Sequence, residues 1–148
     1  MYIFEEIRKD DCGLFNSWLK HEKINEWIGI DDYFDYFEAI NPNPDYFLIK
    51  ASFDNKIIGE IGLEIIDEVG YIALMINPGE QSKGHGRKIL ELFMCRLNQI
   101  IGRKIKHVEA GIFPDNAASK RCFESAGFRF VKNGGDGEML YVYDIENS

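Results

Sequence analysis

The three cysteines, Cys12, Cys95 and Cys122, make no Cys-x-x-Cys pair and fit no metal-ligand spacing. No metal is therefore expected, and the cysteines read as small buried hydrophobes in a reducing, cytoplasmic setting. No apolar run approaches the ~20 residues of a membrane span. The opening MYIFEEIRKDD lacks the basic and apolar regions of a secretory signal, so no membrane partner is expected. An excess of basic charge is also missing: 17 Lys and Arg face 25 Asp and Glu, a net charge of −8. That balance argues against a nucleic-acid partner and is compatible with a cationic one. Repeats, low-complexity tracts and linkers are absent, and prolines number only four. Nothing divides the chain, so residues 1–148 are expected to form a single domain.

What is present is a clear sequence of periods. Tyr2 to Ile7 alternates as a strand, and Asp10 and Asp11 stand where they cap a helix with Leu14, Phe15, Trp18 and Leu19 on one face. A short helix over Ile24 to Ile28 follows, then GIDDYFDYFEAI and a Pro/Asn loop. The runs DYFLIKASF, KIIGEIGLEII and YIALMIN read as three strands joined by the turns DN and DEVG. From Lys88 the period becomes helical, with Ile89, Leu90, Phe93, Met94, Leu97, Ile100 and Ile101 on one face and Gly102 as the stop. IKHVEAGIF is another strand, PDNAASKRCFESAGF a capped helix, and FRFVKN and EMLYVYDI a closing strand pair around GGDG. This order indicates an α/β fold on a mixed sheet.

Between the third of those central strands and the helix lies INPGEQSKGHGRKIL, whose glycines at 84 and 86 sit among basic side chains. Unobstructed backbone amides at a helix start suit an anion. A phosphate loop of the form GxxxxGK[ST] is excluded, because His85 and Arg87 follow the two glycines. A dinucleotide fingerprint fits poorly, with Ile89 in place of its third glycine.

Gln81-Ser-Lys-Gly84-His-Gly86 resembles the [RQ]xxGxG/A pyrophosphate loop of the GNAT acetyltransferases, and NAASKRCFESAGF, Asn116 to Phe128, resembles their NxxSxxxxExxGF segment. In detail the second segment is most similar to the branch holding ribosomal-protein-alanine, polyamine and aminoglycoside 6'-N-acetyltransferases. The resemblance implies a mostly antiparallel mixed sheet of about seven strands flanked by about four helices. It also implies acetyl-coenzyme A as co-substrate and a primary amine as acceptor, a small cationic amine or a peptide N-terminus, in a monomer or homodimer. Direct transfer in a ternary complex is expected; the alternative is a non-catalytic acyl-coenzyme A-binding or sensor module.

By that resemblance the amides of Ser82, Lys83, Gly84, His85, Gly86 and Arg87 hold the pyrophosphate, with Lys83, Arg87 and Lys88 neutralising charge and the glycines removing Cβ atoms that would hold phosphates off. His85 reads as a plain loop side chain there. The backbones of Met75, Ile76 and Asn77 are expected along the pantetheine arm, an amide near Met75 polarising the thioester carbonyl. Asn116 is a pantetheine contact, a helix cap, or both; Ser119 is a coenzyme contact or a small residue facing the sheet. Many relatives place a tyrosine acid seven residues after that asparagine, where this chain has Phe123.

An alkyl ammonium, with a pKa near ~10.4, must lose a proton before it attacks. Glu109, which interrupts the alternation Val108, Ala110, Ile112, is the first candidate base, followed by Glu60 and then Glu64. The segment NEWIGIDDYFDYFEAI offers an acceptor wall of Trp27, Asp31, Asp32, Tyr33 and Tyr36, aromatic faces among carboxylates suited to a cation. An ordinary amphipathic helix with solvated acids explains it equally well.

Overall fold

The computed structural model describes residues 1–145. Its strands are β1 (Tyr2–Glu6), β2 (Tyr46–Phe53), β3 (Lys56–Ile66), β4 (Val69–Ile76), β5 (His107–Ile112), β6 (Arg129–Asn133) and β7 (Met139–Asp144). They form one seven-stranded sheet in the order β1-β2-β3-β4-β5-β7-β6. Each neighbouring pair is antiparallel except β4 with β5, which is parallel. The two central hairpins turn on Asp54-Asn55 and Asp67-Glu68, all four residues at positive φ. Such two-residue turns match the right-handed twist of the strands they join. The second turn is tighter than DEVG implies, because Val69 and Gly70 already pair with Ile66 and Ile65.

Among the described residues six α-helices flank the sheet. α1 (Cys12–Leu19), α2 (Glu22–Asn25) and α3 (Tyr33–Ile40) belong to one face, and α4 (His85–Cys95), α5 (Leu97–Ile101) and α6 (Ala117–Ser125) to the other. The count exceeds four because the expected long helix breaks at Arg96 (φ −104°) and the segment after α2 forms a further helix, α3. α2 itself is a single turn, Glu22–Asn25, earlier than the expected Ile24 to Ile28. α4 begins at His85, ahead of Lys88, since Gly84 (φ 82°) reverses the chain there and leaves the next residues free to be helical. The α1 expectation needs two corrections. Asp11 does not cap α1; its carboxylate accepts from the Arg8 amide at 2.8 Å and pairs with Lys50 at 2.9 Å. Leu14 is exposed, while Cys12 is buried in its stead.

Two cores result. Against α4–α6 the sheet packs Ile61, Leu63 and Val108 on Ile89, Leu90 and Phe93. Against α1–α3 it packs Leu48 and Met75 on Phe15, Trp18, Tyr33 and Phe37. Burying each such large side chain contributes roughly 1.5–3 kcal/mol. Because β3 is covered on both faces, residues Ile58 to Leu63 are buried without alternation.

Candidate active site

β4 and β5 pair over three rungs, Val69 to Tyr71 with His107 to Glu109. Beyond them β4 stays with β3 as far as Ile76, and β5 stays with β7 as far as Ile112. The two strands therefore part, and a cavity of about 420 Å³ opens beside Leu74, Met75 and Ile76. Backbone direction along β4 follows from its ends. The Asn77 N–H donates to Ile58 O on the β3 side at 2.7 Å, while Glu68 O accepts from Lys106 N on the β5 side, also at 2.7 Å. Alternate residues of a strand direct their amides and carbonyls to opposite sides. Leu74 and Ile76 thus face the gap, and Met75 and Asn77 face β3.

This corrects two expectations. The Met75 amide is turned toward Glu60 in the sheet, so a gap-facing amide near it belongs to Leu74 or Ile76. Asn77 is committed throughout: its side chain accepts from Gly79 N at 3.0 Å and donates to Ile57 O at 3.2 Å, closing the turn Pro78–Glu80. The side-chain amide of Gln81 reaches the gap-facing carbonyl of Ile76 at 3.4 Å.

The glycine loop forms the next wall. Gln81, Ser82, Gly84, His85, Gly86 and Arg87 all line the cavity. The first backbone bond spanning a full turn of α4 runs from Lys88 N to Gly84 O, so the amides of His85, Gly86 and Arg87 precede the ladder at the positive end of an eleven-residue helix. Nothing lies within 4 Å of where a Gly84 Cβ would stand, and its positive φ explains the glycine. Gly86 has another reason than the one expected. A Cβ there would lie 2.8 Å from Cys122 Sγ, so the glycine lets α4 and α6 approach.

The charges around the loop are partly engaged. Lys83 lies outside the cavity lining, its ammonium 3.1 Å from Glu80 Oε2. Lys56 and Lys83 together hold the buried Glu80 carboxyl down to about 2. Lys88 points toward Glu91 and does not line the cavity. His85 is more than a loop side chain: its Nδ1 shares a 2.6 Å hydrogen bond with the Tyr2 hydroxyl and its ring packs on Phe53, tying the loop to β1 and β2. Two cations that sequence reasoning missed, Lys23 and Arg121, line the cavity. Arg121 was within reach of the pattern, since it falls on the helix that Asn116 opens.

On α6, Asn116 Oδ1 accepts from Ser119 N at 3.2 Å, so the cap is real, and both residues line the cavity. Phe123 also lines it while packing edge-on against Phe128. Burial pushes the neighbouring Cys122 thiol up to about 11, which keeps it protonated.

The carboxylates separate into two places on the α1–α3 face. Glu60 stands opposite Met75, where the strands part. It is 5% exposed, and the Tyr33 hydroxyl donates to its Oε2 at 2.7 Å. Burial pushes its carboxyl up to about 7 against the opposing effect of that hydrogen bond. Glu109 stands opposite Tyr71, within the three paired rungs, and bonds His107 Nε2 at 3.0 Å. Four residues of strand separate Tyr71 from Met75, roughly 13 Å. Glu109 faces the expected side of the sheet, and neither it nor Glu60 lines the cavity, but Glu60 pairs with the lining residue Met75 whereas Glu109 does not. Glu64 shares its row, opposite Tyr71 on β3.

The acceptor wall is brought together only in part. Trp27 lines the cavity, 6.3 Å from the ring of Phe113. Tyr33 is wholly buried, and Tyr36 shares a 3.0 Å hydrogen bond with Tyr46. Asp32 caps α3, accepting from Phe34 N at 2.8 Å and Asp35 N at 3.2 Å. Asp31 is exposed and outside the cavity lining. Among the described residues no three His, Cys, Asp or Glu gather as a metal site, and no helix is long and apolar enough to cross a membrane.

The sequence matches the acetyltransferase (GNAT) family model over residues 4–128. It is 25% identical over 148 residues to the uncharacterized N-acetyltransferase YfmK of Bacillus subtilis (strain 168), covering 97% of this chain and 96% of that protein. Among solved structures, aminoglycoside acetyltransferase AAC(6')-Ib in complex with coenzyme A and kanamycin superposes with a TM-score of 0.81 at 18% identity, covering 97% of this chain and 95% of that one. The putative acetyltransferase yncA from Salmonella typhimurium, with its cofactor acetyl-CoA, superposes with a TM-score of 0.73 at 20% identity, covering 99% and 95%.

Proposed function

Because this chain belongs to the GNAT acetyltransferase family, we propose that it moves an acetyl group from acetyl-coenzyme A to a primary amine while both are bound. The observation that carries the reading is the parting of β4 from β5 directly before the N-terminus of α4. Strand groups that no neighbouring strand pairs and helix amides ahead of the ladder meet there at one cavity, among the described residues. The residues fit the coenzyme. The gap-facing groups of Leu74 and Ile76 suit an extended amide-bearing arm, and the amides of His85 to Arg87 suit a diphosphate. Ser82, Asn116 and Ser119 add polar contacts, and Arg87, Lys23 and Arg121 add positive charge around it. When bound, acetyl-coenzyme A supplies an activated thioester.

In this reading Glu60 removes the ammonium proton through a water, in preference to Glu109. A base works best with its pKa near the operating pH, and burial puts Glu60 there. Glu109 sits too far along the sheet and is already engaged by His107. With Phe123 on the helix after Asn116, the departing thiolate is protonated by solvent; a thiol pKa near ~8.5 makes that adequate. The acceptor is a cationic amine or peptide N-terminus. Residues 1–45 carry eleven Asp and Glu against four Lys and Arg, so the acceptor-side elements hold most of the net negative charge. Kanamycin, an amine, is bound by one structural neighbour.

Phe123 favours one other reading, a coenzyme-binding module without catalysis. Release of free thiol from acetyl-coenzyme A with a panel of polyamines, aminoglycosides and N-terminal peptides decides between them. Amine-dependent release supports transfer; coenzyme binding without release for any amine supports the module. Glu60→Gln is expected to lower kcat by ~10²-fold with coenzyme affinity unchanged, and wild-type rates in that variant remove Glu60 from the mechanism.

A further inference from the structure

We propose that Tyr33 is a positioning residue for the acetyl transfer: its buried hydroxyl fixes one carboxylate oxygen of Glu60 and leaves the other free to accept the proton. This rests on the reading of Glu60 as the base. The sequence pointed to Tyr33 as part of an acceptor wall, but a side chain with no exposed surface cannot touch the acceptor.

Tyr33 is held from three sides. Its amide donates to Asn16 Oδ1 at 3.0 Å, Asp32 caps the turn that it begins, and its ring is wedged between Phe15 at 5.1 Å and Tyr36 at 5.4 Å. From that seat the hydroxyl donates to Glu60 Oε2 at 2.7 Å. Glu60 Oε1 takes no side-chain donor, yet among the described residues no buried side-chain oxygen or nitrogen is left without a partner. Oε1 is therefore not sealed from solvent, although Glu60 itself stands just outside the cavity lining that includes its neighbour Met75.

The other polar groups facing Glu60 do not replace this bond. Lys50 of β2 stands directly opposite Glu60 in the sheet, but its ammonium is committed to Asp11 at 2.9 Å. Tyr36 of α3 and Tyr46 of β2 bond each other, and Glu64 of β3, a carboxylate, has no proton to donate when charged. β4 contributes Met75, which does not titrate, and the α1 thiol of Cys12 acts on Tyr33. A bond donated to the charged form favours that form, so Tyr33 keeps a buried carboxylate ionisable near neutral pH.

Tyr33→Phe removes the hydroxyl and little else. The Glu60 carboxyl is titrated by NMR in protein carrying ¹³C-labelled glutamate, the signal being assigned by its absence in Glu60→Gln, and kcat/KM is followed against pH with the best amine. The expected result is a midpoint about one pH unit or more higher, a rate ~10-fold lower below it, and a plateau and coenzyme affinity close to wild type. Tyr36→Phe, which loses a hydroxyl bonded to Tyr46, should leave the midpoint in place. An unmoved Glu60 midpoint in Tyr33→Phe, or an equal shift in Tyr36→Phe, overturns the assignment. If Tyr33→Phe does not fold, fluorotyrosine placed at position 33 strengthens the donor and should lower the midpoint, and no change again overturns it. Wild-type rates in Glu60→Gln instead defeat the base reading itself, whatever the two tyrosine variants do.

Discussion

Gly86 on α4 lies against Cys122 on α6 so closely that a Cβ on the glycine would stand 2.8 Å from the sulfur. The contact sets how near the two helices come beside the cavity. Gly86→Ala is expected to cost roughly 1–3 kcal/mol by overpacking. In a Cys122→Ala background the same change should be neutral or stabilising, since alanine is the better helix former by ~0.5–1 kcal/mol. Denaturant unfolding of the four proteins measures the coupling. Additive effects would mean that the helices separate without strain.

Gly84 and Gly102 separate backbone conformation from binding. Both have positive φ, 82° and 70°, with open space where a Cβ would point. Alanine at either should cost ~1–2 kcal/mol of stability. Only Gly84→Ala should also weaken coenzyme binding, because Gly84 alone borders the cavity. Calorimetry with coenzyme A on both variants checks this, and equal affinities would take the loop out of the diphosphate site.

Stability should respond to pH in two opposed windows. Glu80 is held down to about 2 from an ordinary 4.5, so between those values the unfolded chain binds more protons, and stability is lost as pH falls through them. Glu60 is pushed up to about 7, so from 4.5 to 7 the folded state binds more protons, and stability falls as pH rises. Melting temperature against pH should therefore be highest on the acid side of neutrality. Glu80→Gln should flatten the acid limb, and Glu60→Gln the decline toward pH 7. A Glu60→Gln curve parallel to wild type from pH 5 to 7 contradicts the burial argument.

The three aspartates at the start of α3 should part by role. Asp31 and Asp35 are exposed, whereas Asp32 caps the helix. Asp31→Asn with Asp35→Asn should raise KM for a cationic amine at low salt, with the effect shrinking as salt screens it, and should leave stability nearly intact. Asp32→Ala should instead cost ~1 kcal/mol of stability. Steady-state kinetics at two ionic strengths and thermal melts distinguish the two behaviours.

These contrasts show what a single chain of letters can carry. Apolar runs and turn residues marked the strands, and the glycine loop and Asn116 marked two walls of the cavity, because both signals are local. Parity gave the face on which Glu109 stands but not its distance from the cavity, since that depends on pairing with Tyr71 on a distant segment. The burial of Glu60 was hidden for a similar reason: β3 is covered on both sides, and only α3 folding over it makes the carboxylate scarce in water. Cys122 and Gly86, or Tyr2 and His85, meet across 36 and 83 positions, and neither local propensity nor period encodes such meetings.

The three rungs that join β4 to β5 have a consequence for what can enter. A slot bounded by two strands of one sheet presents backbone groups at the spacing that an extended chain satisfies. It sorts candidates by cross-section before any charge or functional group is consulted. A slender arm can lie along Leu74 and Ile76 and satisfy their backbone groups, while a folded or branched body must stop at the mouth. In the proposed reading the chemistry is thereby confined to the tip of a thread, delivered from one face of the sheet to whatever waits at the other.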